Sequence, residues 1–119
     1  MEQSELLFRQ GIAHSAPTIN ALSAASIPAR GPLRNRVVQL GREPEISADD
    51  ADHSLVIRTH GYADRFGIVL ERRLTLLAEG NSLVGQDRML KARGRMSGAC
   101  AIRFHLAHQT QVSQAGDML

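Results

Sequence analysis

Aromatic side chains are scarce in this chain of 119 residues: it has no Trp, one Tyr and three Phe, 3% in all. Aromatics bury the most area per residue, so the core is expected to be thin and the stability marginal. One cysteine, Cys100, excludes an internal disulfide framework and a Cys-rich zinc site. No run of 18 apolar residues is present, so no helix is expected to span a membrane. The first residues, Met1–Phe8, carry Glu2 and Glu5 and no long apolar stretch, which does not fit a secretory signal. P-loop, dinucleotide-fingerprint, zincin, EF-hand and nucleophile-elbow motifs are all missing. Charge of one sign is also in short supply. Lys and Arg number 14 against 12 Asp and Glu, a net of +2. The chain is not polybasic, and no nucleic-acid partner is expected.

What is present fits one modest domain. The apolar fraction is 43%, enough to fold. The charge is unevenly spread. Residues 1–64 carry six Arg and eight acids, a net of −2, and residues 65–103 carry eight basic residues against three acids, a net of +5. That asymmetry allows a positive face suited to phosphate, sulfate or uronate groups.

Residues 1–31 read as an irregular segment, dense in Ser, Ala, Pro and Gly, with one short strand near Ala16–Asn20. From residue 32 to 119 the pattern is that of a β domain. Strands are expected at Arg34–Leu40 and Ser54–Thr59, separated by an acidic loop at Glu43–Asp52. The best periodic signal is at residues 67–77. Ile68, Leu70, Leu74 and Leu76 share one face at period two, with Arg72 interrupting it, and Val69, Glu71, Arg73 and Thr75 face the other way. Turn residues at Glu79–Ser82 and a return strand from Leu83 make this a hairpin. A basic loop is expected over Arg88–Gly98, a strand over Ala101–Leu106, and a last one near Gln111–Gln114. The fold class read from this is all-β: an antiparallel β-sandwich, or a piece of one, with Ile68, Leu70, Leu74, Leu76, Ile102 and Phe104 buried on one side. No segment sustains a helical apolar stripe for three turns.

Five His and one Tyr are the main carriers of acid–base chemistry. His14, near Arg9, has the chemistry of an acid, a base or an anion contact, although a surface loop His is the commoner case. His60 and Tyr62 flank Gly61 and would transfer protons only if both reached one substrate; otherwise Tyr62 plugs the edge of the core. Arg72, Arg73 and Arg103 are strand arginines, suited to carboxylate or sulfate by their planar fork, or else cross-strand partners of acids such as Glu71. His105 and His108 sit three apart, which in a strand sends them to opposite faces and makes them poor joint metal ligands. No metal site and no cofactor are expected. Cys100 reads as a small buried hydrophobe.

Two stretches together carry a resemblance. Gly61-Tyr62, Arg65-Phe66-Gly67, Arg72-Arg73-Leu74 and Leu83-Val84-Gly85-Gln86-Asp87 follow one another at the spacing of the C-terminal β domain of heparinase II/III-like proteins. Ala101-Ile102-Arg103-Phe104-His105-Leu106 resembles a strand of the same domain, and Arg9 followed by Ala13-His14-Ser15 resembles the entry into it. The resemblance covers about residues 8–116. The departures fall on histidines above all. Thr59-His60 stands where the family has His-Asp, Leu70-Glu71 where it has His-Arg, Gln86 where it has Glu, and Ala107-His108 where it has His-Pro. Pro17 interrupts the strand after the Ala-His-Ser entry.

The resemblance implies β-elimination of acidic, uronate-containing polysaccharides. In this family a large α/α toroid, carrying the catalytic Tyr, precedes the β domain, and the protein acts outside the cytoplasm, in the periplasm or cell envelope. Here the chain begins at the β-domain entry and is expected to be a C-terminal piece that lacks the toroid and the final strands. His14 is the one candidate for a chemical role, and Arg72, Arg73 and Arg103 are candidate substrate contacts. By itself the chain is expected to be inactive. The expected partners are an acidic polysaccharide and an α/α toroid on another chain. The alternative is a non-catalytic β module that binds anionic glycan or packs on a partner chain.

Overall fold

The computed structural model describes residues 15–77 and 79–115. Among the described residues, eight strands and one helical turn are arranged in the order β1 (Pro17–Ile19), β2 (Ala25–Ser26), β3 (Val38–Gln39), β4 (Glu45–Asp49), β5 (Ser54–Thr59), α1 (Ala63–Phe66), β6 (Ile68–Leu76), β7 (Leu83–Lys91) and β8 (Cys100–Ile102). All pairings are antiparallel, and the chain has an all-β, sandwich-like fold. The main sheet is a meander, β4-β5-β6-β7, and two small ribbons, β1-β8 and β2-β3, complete the set.

Each hairpin has a local cause. The Asp49 carboxylate accepts from the backbone N–H groups of Ala51 (2.9 Å) and Asp52 (3.3 Å), which turns the chain from β4 into β5. Gly80, at φ 71, sits in the β6-β7 turn, which Leu77 N–H closes on Ser82 O at 2.9 Å. Between β5 and β6 the chain makes the single turn α1. Gly67 ends it in the left-handed conformation, φ 68, with its N–H on Ala63 O. A Cβ at Gly67 would lie 2.7 Å from Arg93 O, so both conformation and space demand glycine there. Gly61 is equally tight, since a Cβ would lie 2.1 Å from Ala24 O.

The expected alternation over residues 68–76 is β6, nine residues long. Arg72, the interruption on its apolar face, stands opposite Asp87 of β7. The core lies at the start of this strand. Ile68 and Leu70 pack with Ile19, Tyr62, Ala24, Phe66 and Cys100. The Tyr62 hydroxyl donates to Leu22 O at 2.7 Å, and its ring meets Phe66 at 6.2 Å between centroids. Only Ile19, Tyr62, Ile68 and Leu70 are buried hydrophobics among the described residues.

The structure corrects several details. Leu74 is half-buried, and Leu76, Ile102 and Phe104 are 44%, 46% and 59% exposed. The β1-β8 ribbon covers the Ile68–Leu70 end of the sheet, and β8 stops at Ile102, so no strand among the described residues lies over the rest of the apolar face. The strand expected at Arg34–Leu40 shrinks to Val38–Gln39, because Arg34, Asn35 and Arg36 spend their N–H groups on turn carbonyls of Gly31, Pro28 and Leu33. The acidic stretch holds the five-residue strand β4, with Arg58 opposite Glu45, and β7 continues through Lys91 into the expected basic loop. No strand forms at Gln111–Gln114, and the turn α1 has no period for the sequence to show.

Candidate functional site

The polar face of the main sheet carries a row of alternating charge. In register across four strands stand Glu45, Arg58, Glu71 and Arg88. Opposite charges on directly paired positions attract, so the row stabilises this register against slippage. Arg58 Nε donates to Glu71 Oε2 at 2.9 Å, and Arg88 Nη1 lies 3.7 Å from Glu71 Oε1. Glu71 is itself buried at 6% exposure. The Arg58 hydrogen bond holds its carboxyl below the usual range, with Arg88 and Arg73 adding to the effect against the opposing cost of burial.

Where this row meets the β5-α1 corner, a cleft of about 630 Å³ opens. Val69 and Leu90, directly paired on β6 and β7, lie along it with His60, and Arg42, Glu45, Arg58, Asp64, Lys91 and Arg93 bring its charge. Arg42 Nη2 donates to Glu45 Oε1 at 3.0 Å, and Arg93 pairs with Asp64. His60 is 8% exposed, and its Nε2 is buried with no hydrogen-bond partner, 3.5 Å from Glu45 Oε1. His60 and Tyr62 line different cavities, so they do not form a proton-transfer pair. Tyr62 belongs to the core, and burial raises its pKa despite the nearby Arg65 cation.

The arginines singled out in the sequence are divided by the pleat. Arg72 projects to the apolar face, where Nε and Nη2 bind the two oxygens of Asp87 at 2.7 and 3.1 Å. Its Nη1 donates to Ser15 O at 2.6 Å, and the guanidinium lies over the Phe104 ring at 5.2 Å. Arg103 donates from Nη1 to Thr18 Oγ1 at 3.1 Å, and His105 N–H reaches Ser15 Oγ at 2.8 Å. Arg72 and the 103–105 segment thus converge on the start of the described chain. Arg73 is on the opposite face, exposed, beside Val56 and Gln86. His14 lies outside the described residues. Cys100 is half-buried against the core, and burial, helped by Asp87, raises its thiol pKa. Among the described residues no group of three or more His, Cys, Asp or Glu is placed to hold a metal ion, and no helix is long and apolar enough to cross a membrane.

In the sequence His60 stands out only beside Tyr62, and nothing marks Arg42, Arg58 or Arg93. Those residues are separated by up to 51 positions, and nothing in their local pattern signals that they meet. The β4-β5-β6-β7 register and the α1 turn bring them together.

Fold and site define an all-β domain with antiparallel sheets, one polar sheet face laced with ion pairs, and a basic cleft at its corner. The chain belongs to the family described as Heparinase II/III-like, C-terminal, whose family model matches residues 2–119. No curated protein and no solved structure gives a significant match.

Proposed function

We propose that this chain is the β-domain part of a polysaccharide β-eliminating protein, and that it works only when joined to a catalytic α/α toroid. The observation that carries this reading is the family match over residues 2–119. In that chemistry a base removes the proton on the carbon α to a uronate carboxylate. The electron pair forms the new carbon–carbon double bond, and the glycosidic oxygen leaves from the β carbon and takes up a proton. Removing that proton builds charge on the carboxylate, so cationic or hydrogen-bonding groups there lower the barrier, and each placed proton-transfer group contributes roughly 10²–10⁴ in rate. Residues 1–31 are the proposed entry segment and 32–119 the β domain proper.

His14 is the proposed catalytic contact from this chain. Arg73, exposed on the polar face, is the proposed substrate arginine with the fewest prior commitments. Arg72 and Arg103 would meet substrate from positions already tied to Asp87 and Thr18. The test is to incubate the pure chain with heparin, heparan sulfate and alginate and to follow the ultraviolet absorbance of unsaturated uronate. No turnover is expected from the chain alone, and turnover is expected when a toroid domain is supplied. Steady turnover by the chain alone, or none with any toroid partner encoded beside it, overturns the reading.

A second reading, a non-catalytic module for anionic glycan, is favoured by the basic cleft at Arg42, Arg58 and Arg93. A reading frame for a toroid next to this one supports the first. Its absence, together with glycan affinity that weakens as salt rises, supports the second.

A further inference from the structure

We infer that the cleft at the β5-α1 corner is an oxyanion site, built to take the carboxylate or sulfate of one sugar-sized residue. The inference rests on this chain's geometry and does not need the toroid. Three guanidinium groups, Arg42, Arg58 and Arg93, line one cavity of about 630 Å³, a volume within the usual range for small-ligand sites. Arg42 is bonded to Glu45, Arg93 to Asp64 and Arg58 to Glu71, and Arg58 Nη1 also lies 3.9 Å from Glu45 Oε2. A guanidinium has five N–H donors in a fixed fork, so each retains donors for an incoming oxyanion. The two carboxylates in the cleft, Glu45 and Asp64, are outnumbered by Arg42, Arg58, Lys91 and Arg93, a net of +2 from these six residues. Val69 and Leu90 supply an apolar strip against which a sugar ring can lie.

His60 gives the cleft a second, independent mark. A buried ring nitrogen without a partner is rare in folded proteins and costs free energy. Its neighbour, Glu45 Oε1, is 3.5 Å away, and the same oxygen accepts from Arg42 at 3.0 Å. An oxyanion binding to Arg42 and Arg58 competes with Glu45 for both. Glu45, released from Arg42, then needs to move only a few tenths of an ångström to accept a hydrogen bond from His60 Nε2–H. Binding thus gives a partner to the one buried side-chain nitrogen or oxygen among the described residues that lacks a hydrogen bond.

The experiment is a titration of the full chain with glucuronate, glucose and inorganic sulfate, read by the imidazole resonances of His60 in nuclear magnetic resonance. Glucuronate is expected to shift them saturably, with a dissociation constant of about 1–10 mM, as for a ligand held by a few charge-assisted contacts. Sulfate marks whether the site reads any oxyanion or the sugar acid alone, and either result supports it. Arg42→Gln and Arg93→Gln should each weaken binding about tenfold, the loss of one charge-assisted hydrogen bond. Those side chains are 75% and 68% exposed, so the fold should survive both changes. Arg36→Gln, outside the cleft, should bind as the parent does. Glucose shifting His60 as well as glucuronate does, no saturable shift with either anion, or equal binding by the Arg42 and Arg93 variants overturns the inference. A chain that binds glucuronate here yet never gains lyase activity with a toroid keeps the cleft and loses the catalytic reading; the reverse result separates them the other way.

Discussion

Arg72 and Asp87 face each other across β6 and β7 in a two-point ion pair, Nε to Oδ1 at 2.7 Å and Nη2 to Oδ2 at 3.1 Å, with 18% and 14% of the side chains exposed. Because Arg72 also reaches Ser15 O and stacks on Phe104, this pair joins the main sheet to both flanks of the β1-β8 ribbon. Partial burial makes the pair matter more than a surface salt bridge, and Asp87, Ser15 O and the Phe104 ring together fix where the guanidinium points.

Asp87→Ala should therefore destabilise the chain by about 2 kcal/mol, the usual cost of stripping a hydrogen-bonded partner from a charged group. Urea unfolding is the measurement. Asp87→Asn keeps one acceptor and should fall between the two. An unchanged midpoint for Asp87→Ala would mean the pair contributes nothing.

The Tyr62 hydroxyl is the polar tip of a 1% exposed side chain and donates to Leu22 O at 2.7 Å. Tyr62→Phe keeps the ring and leaves that carbonyl short of a partner, so a loss of about 1 kcal/mol is expected. Tyr62→Ala empties the centre of a four-residue core and should cost about 3–5 kcal/mol. Thermal melts of the two variants give the ratio directly.

Glu71 sets an acid limit on the fold. Its folded-state pKa lies below the unfolded value, chiefly through the Arg58 hydrogen bond. The native state therefore binds this proton less readily than the unfolded chain. The stabilisation is fully present above the ordinary carboxylate range and fades as pH drops through the lowered folded value. Glu71→Gln should flatten the acid side of the stability–pH curve. A parent and variant with parallel acid limbs would rule out this role.

The two ends of the apolar sheet face should respond differently to substitution. Ile68 is 3% exposed, and Ile68→Ala should cost about 2–5 kcal/mol. Ile46, on the same face by register but 69% exposed, has little to lose, and Ile46→Ser should stay within about 0.5 kcal/mol. Denaturant midpoints compare them. A large loss at Ile46 would show that this end of the face is covered in solution.

The sequence by itself determined the elements whose cause is local. Alternation over Ile68–Leu76 can suit only a strand, because every second side chain must find the same face. The turn residues after it can only send the chain back, and the scarcity of aromatics keeps the core small. The tertiary structure decided which alternating positions became core. Ile68 and Leu76 have the same pattern, yet one is buried under Ile19 and Cys100 and the other is 44% exposed, because the β1-β8 ribbon comes from residues about 80 apart and covers one end only. It also decided the chemistry. Arg72 looked like an interruption until Asp87 stood opposite it, and Arg42, Arg58, His60 and Arg93 became one cleft only through strand register and the α1 turn. Long-range pairing sets such encounters, and a one-residue slip in β5 would send Arg58 to the other face and dissolve the charged row.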